Sequence, residues 1–562
     1  MKYLDIANVF EALSETSSRL DKTDILADFL TTIPETDSHE ALLLLQGRAF
    51  PEWDTRHIGV AGKLIIKAVA QATGRDASEI ETEFHRKGDL GIVIEQLLST
   101  RRQQTLFSRP LTVKDVLDTL QELAGVSGSS SQDHKLATLN RLLTNAQPIE
   151  AKFIVRTVLE DLRVGVAQGT LRDAIVKAYF EGENKEKAKE RVKRALDLTT
   201  DVGRVVKHIK EGKRLEDISL TVGTPCKVML ARKEKSFDDA FARTGFPVRI
   251  EYKYDGFRLQ IHKDENTIRL FTRRLEEVTT QFPDVVKAVR DHVSSHSCIL
   301  DTEVVGYDPR ERIYKPFQYI SQRIRRKYDI DKLVSELPVE VNVFDILHSE
   351  GNDHIDESLD KRLDILNQII TPHKRVLVLA KGETVDTIEE AESIYQKSLS
   401  AGNEGVMIKD LEKPYEPGGR VSAWIKMKPV MEELDLVIVK ARWGEGKRSE
   451  WMTSFTLACR DGDEFLPVGK VGTGMKEEAT GQGLSFPELT EKLKPIVTAT
   501  SGKEVEVKPE VVVTIAYEEI QKSTAYRAGY ALRFPRTIAY RPDRNAEDIA
   551  SKDEIIDLYE EQ

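Results

Sequence analysis

With 562 residues the chain is too long for one hydrophobic core, and at ~100–200 residues per domain it suggests three or four domains. Its aliphatic and aromatic content of 40% is ample for packed cores, while the lack of any run of about 18 or more apolar residues excludes a membrane-spanning helix. A net charge of -11 argues against indiscriminate nucleic-acid binding, and the three scattered cysteines, Cys226, Cys298 and Cys459, exclude a disulfide framework or a cysteine zinc site.

Residues 1–217 read as a helical region. Prolines are sparse there, and apolar residues recur at helical spacing in Ile6, Val9, Phe10 and Leu13 and again in Leu139, Leu142 and Leu143. Loops are expected at Gly125–Ser131 and Glu181–Asn184. Basic clusters at Lys185–Arg194, Arg323–Lys327 and Lys447-Arg448 are either solvated faces or phosphate contacts. The amino terminus, Met1-Lys2-Tyr3-Leu4-Asp5, has no secretory pattern, so an intracellular protein is expected.

From Val222-Gly223-Thr224-Pro225 to about Pro429, residues 218–430, the texture is mixed, with strands separated by Gly and Asp. Alternation over Val248–Tyr254 predicts a half-buried strand with Glu251 and Lys253 on one face, and Asp255-Gly256 reads as a two-residue hairpin. Phe257, Leu259 and Ile261 then face one way and Arg258, Gln260 and His262 the other, so Lys253 and Arg258 are expected to face each other across the turn. A lysine amine is a nucleophile only when deprotonated, and a guanidinium keeps its charge for gripping phosphate oxygens.

Companions follow along the chain. Arg273 and Arg274 come just after a strand, Asp301 and Glu303 share a strand face where they could meet a metal or a ribose, and Phe344 could stack on a base. Glu404 and Lys409 supply another carboxylate and lysine, and Lys426 and Lys428 share a face by the period of two. Eleven histidines show no metal-ligand spacing, so a metal would be held by carboxylates and phosphates, as suits Mg²⁺. Residues 431–562 carry short alternating segments, Leu434–Lys440, Ser454–Cys459 and Val511–Tyr517, which predict a small antiparallel barrel.

Lys253-x-Asp255-Gly256-x-Arg258, followed in order by these segments, resembles the signature set of the covalent nucleotidyltransferases, and within it the ATP-dependent DNA ligases of the archaeal and eukaryotic replicative type. Gly88-Asp89-Leu90-Gly91, Ser131-Gln132-x-x-Lys135, Glu150–Arg156 and Leu162–Val166 resemble that family's DNA-binding domain. Pro316-Phe317-Gln318, Tyr517–Ser523, Leu532–Arg536 and Arg541-x-Asp543 continue the likeness. The resemblance implies an all-α DNA-binding domain (1–217), an α+β adenylation domain (218–430) and an OB-fold β-barrel (431–562). It implies ATP and Mg²⁺ as cofactors and nicked duplex DNA as substrate, with a monomeric, cytoplasmic, nucleoid-associated enzyme acting in replication, repair and recombination.

The same resemblance assigns roles. Lys253 would carry AMP, Glu251 would read the adenine, Phe344 would stack on it, and Glu303 would bond the ribose or a metal. Arg258, Arg273, Arg420, Lys426 and Lys428 would neutralise phosphates. Glu404 would hold Mg²⁺, and Arg533, Arg536 and Arg541 would be presented for the first step. Two departures stand out: Thr302 replaces a usual Gly, and Arg544 replaces a usual Lys after Asp543. Gln103–Phe107 resembles the glutamine-and-aromatic motif that engages a sliding clamp. An RNA ligase or capping enzyme would leave the helical region unexplained, a NAD-dependent ligase would be expected to bring zinc cysteines, and the intact Lys253 opposes a catalytically silent scaffold.

Overall fold

A computed structural model describes residues 1–560 except 101–108, 127–130, 235, 309, 311–312, 316, 326–328, 429–432 and 478–484. The clamp-like segment Gln103–Phe107 therefore lies outside the described residues, as do Pro316 and the end of the Arg323–Lys327 cluster. The chain divides into two compact units, Met1–Met427 and Lys428–Gln562.

The first unit opens with α-helices from Tyr3–Glu15 to Val202–Lys210. Helix Tyr3–Glu15 buries Ile6, Phe10 and Leu13, and helix Ser131–Asn145 buries Leu139, Leu142 and Leu143, as their spacing predicts. Three of the four resemblance segments of this region meet at Asp89, which Arg156 and Arg163 both approach. Asp89 caps helix Leu90–Ser99 by accepting from the Gly91 amide at 2.8 Å, and the same carboxylate receives Arg156 at 2.7 Å. A Cβ on Gly91 would stand 2.7 Å from the Lys152 carbonyl oxygen, so only glycine lets these helices approach this closely. Lys135 is buried and donates to the Ile58 and Gly59 carbonyls at 3.0 and 3.1 Å.

Two sheets with accompanying helices make up the rest of this unit. The first runs in the order Leu230–Lys233, Arg420–Met427, Gly405–Asp410, Val248–Lys253, Gly382–Val385. The second has seven strands and a central run Thr267–Thr272, Phe257–Asp264, Ser297–Tyr307, Val339–Ser349. Alternation assigns the faces of Phe257–Asp264 as expected: Leu259 and Ile261 enter a core on one side, and Arg258, Gln260 and His262 point to the other.

The hairpin expectation fails. Val248–Lys253 pairs with Gly405–Asp410 and Gly382–Val385 in the first sheet, whereas Phe257–Asp264 belongs to the second. Asp255-Gly256 is a crossing between sheets, because long-range pairing outweighs the local turn signal. Gly256 is required there by proximity: a Cβ would stand 2.4 Å from the Val304 carbonyl oxygen and 3.1 Å from Glu303 Cγ. The Asp255 carboxylate accepts from the Phe317 amide at 3.1 Å, at the start of helix Phe317–Arg325.

In the second unit, strands Leu434–Trp443, Met452–Asp461 and Val512–Ala516 lie where alternation places them. The expected closed barrel is not among the pairings of the described residues. Leu434–Trp443 divides one edge between Val512–Ala516 along its first half and Glu504–Val507 along its second, and Glu464–Val471 and Val497–Ser501 end the seven-stranded order. Strands Glu519–Lys522 and Tyr530–Arg533 form a separate pair.

Candidate active site

Lys253 ends its strand in register with Gly405, and its carbonyl receives the Glu404 amide at 2.8 Å. The Lys253 ammonium forms an ion pair with the Glu404 carboxylate. Glu303 approaches from the second sheet past Gly256. Burial pushes its carboxyl up to about 7; Lys253 and Arg258 oppose that rise, while Glu404 and Asp301 add to it. Two carboxylates thus crowd one lysine.

Glu251, two residues before Lys253, is 2% exposed, and its Oε2 lies 2.6 Å from the Lys409 ammonium. Lys409 sits 4.5 Å from the Phe344 ring centroid and 4.4 Å from that of Trp424, and the two rings meet edge-on at 5.9 Å. Phe344 is half-buried, in contact with the apolar residues of the first sheet. Sequence reasoning singled out Lys409 as a lysine but missed its partner. The shared register of Lys409 with Arg249 and of Met407 with Glu251 follows from pairing between distant segments.

Arg258 does not face Lys253 across a turn. Its guanidinium takes both Asp301 oxygens at 2.8 and 2.5 Å, the Met229 carbonyl at 2.6 Å and the Tyr415 hydroxyl at 3.1 Å. Burial opposes this charge, but Asp301 holds it well above the ordinary arginine value. Asp301 is consequently committed to Arg258 and Tyr415 instead of sharing a metal with Glu303. Tyr415 carried no signal in the sequence. Thr302 fits because its hydroxyl donates to the Leu259 carbonyl at 2.9 Å within regular strand.

Arg273, Arg258 and Arg420 form a cationic cluster: loss of water first, then the two neighbouring arginines, lower the Arg273 guanidinium. Lys426 lies within strand Arg420–Met427, paired with Met407. The strand ends at Met427, and Lys428 follows it at the start of the second unit, where it pairs with Glu518 at 3.2 Å. There Arg533 meets Glu519 at 2.9 Å, and Arg541 and Arg544 both meet Asp435, at 2.9 and 3.0 Å. Of the basic clusters, Arg323 is fully buried against Asp284, and Arg194 meets Asp356 at 2.7 Å. Among the described residues no group of three or more His, Cys, Asp or Glu is arranged as a metal site.

Family models match along the chain: "DNA ligase N terminus" over residues 2–176, "ATP dependent DNA ligase domain" over 228–428 and "ATP dependent DNA ligase C terminal region" over 448–544. The DNA ligase of Nanoarchaeum equitans is 45% identical over 100% of this chain and 99% of its own length. That of Thermococcus onnurineus is 42% identical over 100% and 98%, and that of Archaeoglobus fulgidus 38% over 100% and 99%. A solved structure titled "Pmar-Lig_Pre." superposes with a TM-score of 0.57 at 17% identity, covering 96% of this chain and 99% of that one, which speaks for the fold.

Proposed function

Because the chain belongs to the ATP-dependent DNA ligase family and so seals nicks in duplex DNA, we propose that Lys253 is the residue through which ATP enters that reaction. The Lys253 amine, having given up a proton, attacks the α-phosphorus of ATP; a P–N bond forms as the bond to the pyrophosphate oxygen breaks, leaving AMP on the lysine. An oxygen of the 5′-phosphate at the nick then displaces the lysine nitrogen. The 3′-hydroxyl, losing its proton, displaces AMP from that phosphate and closes the strand. The observation that carries this reading is the convergence of Glu404 and Glu303 on one lysine at the Gly256 crossing.

Around that lysine, Glu251 contacts the adenine and Phe344 stacks on it. Arg258, Arg273, Arg420 and Lys426 neutralise phosphate charge, from which in-line phosphoryl transfer gains much of its rate. Glu303 and Glu404 fit Mg²⁺, because both are hard oxygen donors and their mutual repulsion is what a divalent cation relieves. Bound there with the phosphates, Mg²⁺ would screen the charge that develops on their oxygens. No helix among the described residues is long and apolar enough to cross a membrane. An intracellular, monomeric enzyme of replication, repair and recombination, engaging a sliding clamp through Gln103–Phe107, completes the proposal.

The test is incubation with α-labelled ATP and Mg²⁺, with NAD run beside ATP. Label should stay with the denatured protein, disappear in Lys253→Ala, and discharge onto nicked DNA. Persistent label in Lys253→Ala, or discharge onto nicked RNA alone, would sink the assignment. Clamp engagement is read by co-elution with the clamp, abolished by Phe107→Ala.

A further inference from the structure

Residues 221–229, which join the helical region to the first sheet, lie in no helix or named strand, yet Cys226, Val228 and Met229 are buried. A buried backbone outside regular structure must find its hydrogen bonds elsewhere. Here side chains supply them, at a spacing of three along the connector and of two along strand Phe257–Asp264. The Gly223 amide donates to His262 Nδ1 at 2.9 Å, and its carbonyl accepts from Arg269 at 2.8 Å. The Cys226 amide donates to Gln260 Oε1 at 2.9 Å, and its carbonyl accepts from Gln260 Nε2 at 3.3 Å. The Met229 amide donates to the Tyr415 hydroxyl at 3.0 Å, and its carbonyl accepts from Arg258 Nη1 at 2.6 Å.

Each of these three residues therefore uses both backbone groups on the sheet. Those between them turn the other way: the Pro225 carbonyl accepts from the Thr200 hydroxyl at 2.8 Å, and the Lys227 amide donates to the Asp197 carbonyl at 2.8 Å. The connector is clasped between the end of helix Lys185–Thr199 and the strand that carries Arg258.

The rung at Met229 bears on the chemistry. Arg258 gives Nε–H and one Nη2–H to Asp301, the other Nη2–H to Tyr415 and one Nη1–H to Met229. Of the five N–H bonds of a guanidinium, only one on Nη1 is left without a partner among the described residues, on a side chain 14% exposed. Tyr415 is fully buried and donates to Asp301 at 2.7 Å, so its hydroxyl ties Asp301, Arg258 and Met229 together. A planar fork held in this way has one direction for its remaining donor.

We propose that the connector is a positioning element for the phosphate chemistry: gripped by Gln260 and Tyr415, it presents the Met229 carbonyl that, with Asp301, aims the remaining N–H of Arg258 at phosphate. Gln260 and Tyr415 are positioning residues that act through Arg258. The inference rests on the reading that Arg258 neutralises phosphate charge.

The experiment follows three single-turnover steps of the full-length protein: lysine labelling by α-labelled ATP, discharge of AMP from labelled protein onto nicked DNA, and sealing of nicked DNA that already carries AMP. Arg258→Lys marks the steps that need the guanidinium. Tyr415→Phe should slow those steps, and only those, by about tenfold at saturating substrate, with KM changed by less than about twofold. Gln260→Leu, which opens the Cys226 rung and leaves every bond of Arg258 in place, should slow the same steps by about threefold. In the Arg258→Lys background either change should cost less than about twofold further, because both act through the guanidinium. Melting temperatures are read for every variant.

A step profile unlike that of Arg258→Lys, or an undiminished effect in the Arg258→Lys background, would reduce both residues to supports of the fold and overturn the proposal. Normal rates in Gln260→Leu beside slow ones in Tyr415→Phe would overturn it too, since Tyr415 would then act without the connector. If Arg258→Lys slowed no step, the phosphate reading of Arg258 would itself fail and the inference with it. If Tyr415→Phe melts near the assay temperature, Asp301→Asn, which withdraws the charge shared by Tyr415 and Arg258, carries the same prediction.

Discussion

Asp89 in the helical region and Glu303 in the cleft are both acids set among cations, and their surroundings drive them in opposite directions. Burial works against the Asp89 charge, but the hydrogen bonds and charge of Arg156, the Ile92 amide and Arg163 outweigh it and hold the carboxyl below its ordinary value. Burial also acts against Glu303, and there the two other acids help it win. One cluster is complete within the protein, while in the other burial outweighs the cations that face Glu303. Resemblance pointed to both; only the balance of partners separates a tie that holds helices together from a site that waits for a ligand.

The sharpest way to test that contrast is to remove a side chain from each region. Lys253→Ala should abolish protein labelling and ligation altogether while leaving the melting temperature close to that of the parent, as read by gel and by calorimetry. Asp89→Ala should do the reverse. Loss of one partner from a buried pair that also caps a helix destabilises by about 3–5 kcal/mol in urea unfolding, while labelling persists below the melting temperature.

The pH dependence should also run in opposite directions. The folded protein binds a proton at Asp89 less readily than the unfolded chain does, so this contribution is present above the ordinary carboxylate value and fades as pH falls. Glu303 keeps its proton in the folded state up to about 7 against 4.5 ordinarily, so stability is greatest below 4.5 and is lost as pH rises through about 7. Glu303→Gln should therefore remove a decline of at most about 3 kcal/mol between those limits, measured by unfolding at pH 5 and pH 8 without nucleotide. The smallest effect is expected from Arg194→Ala. Its partner Asp356 is 74% exposed, and such a pair contributes roughly 0–1 kcal/mol.

Alternation made much of the site legible. It placed Glu251 and Lys253 on one strand and separated Arg258, Gln260 and His262 from Leu259 and Ile261. It did not reveal partners. Asp255-Gly256 carries a strong local hairpin signal, yet Val248–Lys253 finds its neighbours more than a hundred residues away, and nothing local encodes that choice. Lys409 and Tyr415 escaped assignment for the same reason. Their roles arise from Glu251 and Asp301, which the fold brings to them. A period of two also says nothing about where a strand stops, and the strand that holds Lys426 ends at Met427, one residue before Lys428.

The crossing at Tyr254-Asp255-Gly256 sets a mechanical limit on the cleft. From Lys253, the last residue of one sheet, to Phe257, the first of the other, there are four Cα–Cα steps, which cannot reach beyond about 14 Å even when fully extended. The two sheets are therefore leashed to each other at this point. Any parting of the two sheets is held to this span here and must be taken up away from the crossing, so Lys253, at the end of the leash, moves little relative to the second sheet.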